Sequence, residues 1–329
     1  MMHRFTAGII GCGQIAGGYD EKMNDDDIRT HAKGYKYSNN ISLQCIADID
    51  KDRLEQFARF WNIKKKYVNY SEMLKNEKID VLSICTKPDS RFEMIKQAVD
   101  HGVKLIFCEK PLAESCKEGK QIIDYCRLKN VKVAVNYKRR WDPFHQDIKQ
   151  NIKKRGYGKP QVFYCSYVRG ILNYGSHAID LIRFYFGEVK WVWAFDRLHE
   201  AQSDQSLDVY LLTNSGVGCY FISLSRDYFD HFEYALLFEK RKIEFKKEGM
   251  LSYEYSLAEN PDYPDLPIFE LKSENRHLNK IMKYSIDQLA RCLNNSEDPL
   301  CTGEDAYQAL RIVEAIKKSA KTKERVYIT

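Results

Sequence analysis

The chain has 329 residues, 44% hydrophobic and 30% charged, a soluble globular profile with enough length for two domains of ordinary size. Its net charge of +6 comes from Lys/Arg clusters scattered among acids, which argues against a nucleic-acid binder, and no apolar run reaches the roughly 20 residues of a membrane span. Ten cysteines, none in a C-x-x-C pair and several inside apolar runs, read as buried free thiols of a cytoplasmic protein, not as disulfides or zinc ligands.

The opening "MMHRFTAGIIGCGQIAGGYDE" has a basic start and an apolar stretch, but it is too glycine-rich for a secretory leader and runs on into acidic residues. Residues 5–13 read as a first strand with a glycine turn. Residues 41–50 are a second strand, followed by Asp50 and Asp52 as helix-starting residues. The third strand, 79–88, is nearly all apolar between its ends, as a strand covered on both faces requires. A helix over 89–102 follows, capped by Asp89, with Phe92, Ile95, Ala98 and Val99 on one stripe and Gly102 as its stop. A strand over 103–111, a helix over 117–130 and a strand over 131–137 complete the series. Such alternation predicts a parallel sheet with right-handed crossovers.

After "RRWDP" the character changes. A helix at about 144–155 and a short strand lead to an amphipathic helix in "GSHAIDLIRFYFG", stopped by Gly187. Residues 189–272 are mostly strands, two of them around an Asn-Ser-Gly turn, and predict a largely antiparallel sheet. Residues 259–267 form a proline-rich loop. Two helices end the chain, one over 275–295 and one starting at Thr302, where Asp305 follows three residues later, close to a capping box.

Three motifs carry chemistry. "GCGQIA", Gly11 to Ala16, fits G-x-G-x-x-G/A after a strand: Gly11 allows the tight turn and Gly13 lets backbone approach a pyrophosphate at a helix start. The second strand ends in Asp48, whose carboxylate suits the ribose hydroxyls of NAD and disfavours the 2′-phosphate of NADP. Asp48 lies well beyond the roughly 20 residues the fingerprint expects. The excess falls in "YDEKMNDDDIRTHAKGYKYSNN", whose acidic part, Glu21 to Asp27, reads as an inserted, solvated loop in preference to a metal site. No metal is assigned.

The second motif is Glu109-Lys110-Pro111, at the carboxyl end of a buried strand, where open α/β sheets bind ligands. A lysine in a partly dry cleft beside a cofactor's positive ring would have a lowered pKa and could exchange protons with a hydroxyl. Glu109 could balance that charge or hold the lysine. Pro111 fixes the backbone at the turn, and a cis bond suits that position. The alternative is an ordinary surface salt bridge after an edge strand. The third motif is "GSHAIDLI". His177 and Asp180 share a helix face, so Asp180 could set the tautomer of His177, against the alternative of a histidine that merely packs.

Together and in this order, "GIIGCGQIA", "CIADID", "LSICTKPDSRFEMIKQA", "GVKLIFCEKPLAES", "NYKRRWDP", "ILNYGSHAIDLI" and "CTGEDAYQALRIVEAIKKSA" resemble the glucose–fructose oxidoreductase / inositol dehydrogenase (Gfo/Idh/MocA) family along the whole chain. The resemblance implies an α/β protein. A Rossmann NAD-binding domain is expected over 1–137 and an α+β substrate domain with a mostly antiparallel, open-faced sheet over 138–329. The last helix, about 302–320, would pack back on the first domain.

The resemblance also implies a cytoplasmic, nicotinamide-dependent oxidoreductase acting on a sugar, nucleotide sugar or cyclitol, and a homodimer or homotetramer formed through the second sheet. It assigns substrate binding and proton transfer to Lys110 and the acid/base partner to His177. Gly11, Gly13, Gln14, Ile15, Asp48, Thr86, Pro88, Glu109, Lys110 and Arg140 would contact the dinucleotide, which is NAD in preference to NADP because of Asp48.

Three departures from the family pattern stand out. Asn173 replaces the usual Asp four residues before the histidine, keeping a hydrogen-bonding group but losing a charge; it is also suited to capping the helix that follows. Thr86-Lys87-Pro88 stands for Thr-Pro-Asn, with Arg91 where the family often has His. The acidic insertion is the third. Some relatives use bound NAD for a transient oxidation that cleaves glycosides, and a sugar sensor without catalysis is a further alternative.

Overall fold

The structure is a computed structural model that describes residues 4–23, 26–201, 203–225, 228–294 and 297–328. The chain divides into two units, one of Met1–Trp141 with Asn279–Tyr307, the other of Asp142–Leu278 with Gln308–Thr329.

The first unit is built on six strands: β1 (Phe5–Ile10), β2 (Ile41–Ala47), β3 (Lys65–Tyr67), β4 (Val81–Ile84), β5 (Leu105–Cys108) and β6 (Lys132–Val135). They lie in the order 3-2-1-4-5-6, every pairing parallel, with the sheet's direction of winding reversing between β1 and β4. β4 and β5 are buried along their whole length, which is why both read as apolar runs. The short edge strand β3, "KKY", has no such pattern and was not legible in the sequence.

Six helices accompany this sheet: α1 (Tyr19–Lys22), α2 (His31–Lys36), α3 (Lys51–Trp61), α4 (Tyr70–Asn76), α5 (Arg91–Asp100) and α6 (Cys116–Leu128). Asp50 caps α3, its side chain accepting from the Arg53 N–H at 3.1 Å. Asp89 does not cap α5. Residues Pro88–Ser90 form a 3₁₀ turn that occupies its entry, and the helix begins at Arg91. Ile95, Ala98 and Val99 are buried as the stripe requires, and Gly102 ends the segment at φ +85°.

The segment after β1 differs from a single inserted loop. Gln14–Gly18 is a π-helical turn that runs into α1, so Glu21 lies on a helix, where it accepts from the Trp61 indole N–H at 3.2 Å. Asn24 and Asp25 of the acidic run lie outside the described residues. The chain enters α2 through Thr30, the cap residue.

Helix Ile281–Leu293 also belongs to this unit. The expected start at 275 is overturned because Asn275 and Arg276 are still paired in a strand ladder. Thr302 and Asp305 form the reciprocal box, Thr302 N–H to Asp305 Oδ2 at 3.0 Å and Asp305 N–H to Thr302 Oγ1 at 3.1 Å, at the start of helix Gly303–Thr322.

The second unit carries α7 (Pro143–Lys153), α8 (Ser176–Phe186) and nine strands: β7 (Pro160–Tyr167), β8 (Val189–Phe195), β9 (Asp208–Thr213), β10 (Gly218–Ser223), β11 (Phe232–Phe238), β12 (Arg241–Lys246), β13 (Leu251–Ala258), β14 (Ile268–Arg276) and β15 (Val326–Tyr327). Their order is 14-13-12-11-7-10-9-8-15, antiparallel at every junction except β7 with β10. β9 and β10 are joined around the Asn-Ser-Gly turn. Alternate residues of β8, β9 and β10 are buried, so one face of the sheet is covered and the other open. Among the described residues no helix is long and apolar enough to cross a membrane.

Candidate active site

In the first unit the carboxyl ends of β1, β2 and β4 surround a cleft of about 560 Å³, lined among others by Gly11, Gly13, Asp48, Arg53 and Thr86. Gly11 has φ +89°, and a Cβ there would meet the backbone of Cys85 and Thr86 at 3.1 Å, so only glycine fits this turn. Gly13 is different: a Cβ built on it finds no protein atom within 4 Å. Its α-carbon faces open space, a cradle that a side chain would fill and a phosphate group could approach. That arrangement fits a dinucleotide. Gln14 is exposed and Ile15 half-buried at the start of the following turn.

The turn is tied to β2. Gly11 N–H donates to Ala47 O at 2.8 Å, and Cys12 N–H donates to Asp48 Oδ2 at 2.7 Å. Asp48 accepts three further bonds: from Asp50 N–H at 2.9 Å and from Arg53, Nε at 2.8 Å and Nη2 at 2.7 Å. Burial would raise this carboxyl. The Arg53 guanidinium and the two backbone N–H groups outweigh it and hold Asp48 below the usual carboxylate range. Arg53 stands one turn into the helix that Asp50 caps, and no motif in the sequence marks it.

Glu109-Lys110-Pro111 follows β5, with a cis peptide between Lys110 and Pro111. Arg91, fully buried at the start of α5, donates to the carbonyl oxygens of Glu109, Pro111 and Thr86. The residue that reads as a departure from the family pattern is thus the clamp of this turn. The Glu109 side chain is buried and accepts from Asn136 Nδ2 at 2.6 Å, and His31 Nε2 lies 3.0 Å from the same oxygen. Lys110 is half-buried. Arg140 bonds Leu300 O at 3.1 Å and pairs with Asp305 at 3.1 Å; Pro88 opens the 3₁₀ turn before α5.

In the second unit, α8 carries His177 and Asp180, both buried. The His177 ring lies 6.3 Å from that of Phe232. Asn173 does not cap α8, whose cap position is Gly175. It sits in the π-helical turn Ile171–Gly175, and its backbone N–H donates to Asp204 Oδ2 at 3.0 Å, while Leu172 N–H donates to Asp204 Oδ1 at 2.9 Å. Asp204, overlooked in the sequence, anchors the turn that leads into the His177 helix.

Residues 5–137 match the model of an oxidoreductase family described as an NAD-binding Rossmann fold, and residues 171–328 match the family's C-terminal α/β domain. Among curated relatives, D-apiose dehydrogenase of Paraburkholderia graminis is 25% identical over 65% of this chain and 59% of its own length. The scyllo-inositol 2-dehydrogenase (NAD(+)) of Bacillus subtilis is 32% identical over 51% of this chain and 46% of its own. The chain thus spans about half to three fifths of these two proteins. Among solved structures, the WlbA dehydrogenase of Bordetella pertussis, in complex with NADH and UDP-GlcNAcA, superimposes with a TM-score of 0.79 at 18% identity, covering 99% of both chains.

Proposed function

The chain belongs to the Gfo/Idh/MocA oxidoreductase family, and from that premise we propose that it transfers a hydride between a nicotinamide dinucleotide and a secondary alcohol or ketone of a sugar, nucleotide sugar or cyclitol. The observation that carries this reading is the cleft at the carboxyl edge of the parallel sheet, where the open Gly13, Asp48 and Thr86 line one cavity. The names of the dehydrogenase relatives support the substrate class.

The nicotinamide, when bound, supplies the hydride acceptor or donor. The glycine turn receives the pyrophosphate, and Asp48 takes the adenosine ribose, with NAD preferred over NADP. Lys110 holds the reacting hydroxyl and takes up its proton at Nζ during oxidation, or returns it during reduction. His177 is its acid/base partner, with Asp180 orienting it, as the family resemblance implies. Arg91 keeps the turn that carries Lys110 in place. Lys110→Met is expected to bind NAD as the parent does and to lose turnover by about a hundredfold or more. Full turnover in that variant would take the lysine out of the mechanism.

The proposed assembly is a homodimer or homotetramer joined through the open face of the nine-stranded sheet. Tyr164, Trp193, Phe195, Tyr220 and Ile222 are exposed on neighbouring strands there, and Tyr220 stacks on Tyr210 at 4.7 Å. Light scattering of Tyr220→Lys/Ile222→Lys should report a smaller particle than the parent; an unchanged mass would oppose this assembly. A cytoplasmic location is supported by ten cysteines that are all free thiols.

A further inference from the structure

Both ring nitrogens of His31 are committed. Nε2 lies 3.0 Å from Glu109 Oε1, and Nδ1 lies 2.9 Å from Ser83 Oγ. Ser83 Oγ is in turn 2.8 Å from the Tyr35 hydroxyl. Every member of this chain is buried, His31 and Ser83 completely. An ionised Glu109 can only accept, so Nε2 donates to it; with a neutral imidazole Nδ1 then accepts the Ser83 proton, and Ser83 accepts from Tyr35. All donors point one way, toward the carboxylate.

The partners come from separate elements that meet at the carboxyl edge of the sheet: α2, β4, and the residues just after β5 and β6. The segment that delivers α2 is itself anchored. Asp20 Oδ2 accepts from the backbone N–H groups of Arg29 and Thr30 and from the Thr30 hydroxyl, and Ile28 exchanges backbone bonds with Asn279 and Met282. The charged or titratable groups around Glu109 are His31 on α2, Lys110 beside it, Arg91 on α5 and the thiols Cys85 and Cys108, which burial pushes up and keeps neutral. Burial would raise Glu109 as well, but the hydrogen bond from His31, the Asn136 amide and the Lys110 charge hold it below the usual glutamate range.

We propose that His31 is a positioning residue for Lys110: by donating to Glu109 it keeps a buried carboxylate ionised and fixed one residue from the lysine that exchanges the substrate proton. This rests on the role proposed above for Lys110. Loss of the His31 donor favours the neutral form of Glu109, and a neutral Glu109 no longer favours the Lys110 ammonium, so Lys110 gives up its proton at lower pH. A histidine that only fills space would leave that titration unmoved.

The test titrates lysines of the full chain after reductive methylation with ¹³C-formaldehyde, followed by NMR, with Lys110→Arg identifying the signal. His31→Leu and Glu109→Gln should both move the Lys110 midpoint to lower pH, and the double variant should move it no further than Glu109→Gln alone. His31→Gln, which keeps an amide donor, should restore part of the parent's behaviour. A Lys110 midpoint unchanged in folded His31→Leu, or unchanged in Glu109→Gln, overturns the proposal. Should His31→Leu fail to fold, Ser83→Ala decides by the same reading: a shift in the same direction supports the chain and no shift overturns it. No substrate is needed, so an absence of turnover would count against the oxidoreductase reading without touching this result.

Discussion

Arg53 grips both oxygens of Asp48, Nε to Oδ2 at 2.8 Å and Nη2 to Oδ1 at 2.7 Å, while the N–H groups of Cys12 and Asp50 take one further position on each oxygen. The acceptor sites proposed above for a ribose are therefore occupied by a guanidinium that is itself half-exposed. A ribose diol must displace Arg53, and a 2′-phosphate would find it close by. Arg53→Ala should tighten NAD and weaken NADP. A charge-assisted bond contributes about 1.5–3 kcal/mol, so the ratio of the two dissociation constants should move by about tenfold or more. Titration of the protein with each dinucleotide, followed by tryptophan fluorescence, measures it; an unmoved ratio would show that Arg53 does not control access to Asp48.

The two glycines of the turn should respond differently to the same change. At Gly11 an added methyl group meets backbone at 3.1 Å and sits at φ +89°, so Gly11→Ala should lose about 1–2 kcal/mol of folding stability. A Cβ added at Gly13 meets nothing of the protein beyond its chain neighbours within 4 Å, so Gly13→Val should melt near the parent's temperature and yet bind dinucleotide poorly. Denaturant unfolding and the same fluorescence titration separate the two. Equal losses of stability in both variants would contradict the cradle.

At the other end of β4, away from the cleft, Asp80 accepts from Thr6 N–H, Thr6 Oγ1 and Lys104 Nζ, each at 2.9 Å. Burial would raise its carboxyl, but Lys104 and Thr6 hold it below the usual aspartate range. A carboxyl that is depressed in the folded state contributes stability above its unfolded value, and loses that contribution as pH falls through the folded value. Asp80→Asn should thus cost about 1–3 kcal/mol at neutral pH. The gap to the parent should close as pH falls below about 4. Unfolding curves at pH 7 and pH 3 check this, and a gap independent of pH would contradict it.

Much of the architecture was legible because burial on both faces leaves a strong local imprint. β4 and β5 must be apolar throughout, and the sequence shows them so. Caps are equally local: Asp50, Thr302 and Asp305 lie within one turn of the groups they satisfy. Gly11 and Asp48 could be found because a turn and a strand end announce them. The contacts that organise the site carry no such imprint. His31 sits in a stretch that looks like excess chain, and only folding brings it to a glutamate 78 residues away. Arg91 matters through three carbonyl groups, which have no residue identity to detect. The Asp89 and Asn173 caps failed because a 3₁₀ turn and a π-helical turn, both set by neighbouring backbone, occupy those helix entries.

The most direct test of the central claim is the near-ultraviolet absorbance of reduced nicotinamide. Purified protein and NAD would be mixed with cyclitols, free sugars, nucleotide sugars and aryl glycosides, with aryl release read in the same wells. The account predicts reduced cofactor accumulating with one class of alcohol, in proportion to the alcohol consumed. Aryl release without net reduction would contradict it in favour of redox-assisted glycoside cleavage. NAD binding with silence in both readings across the panel would contradict it in favour of a sugar sensor.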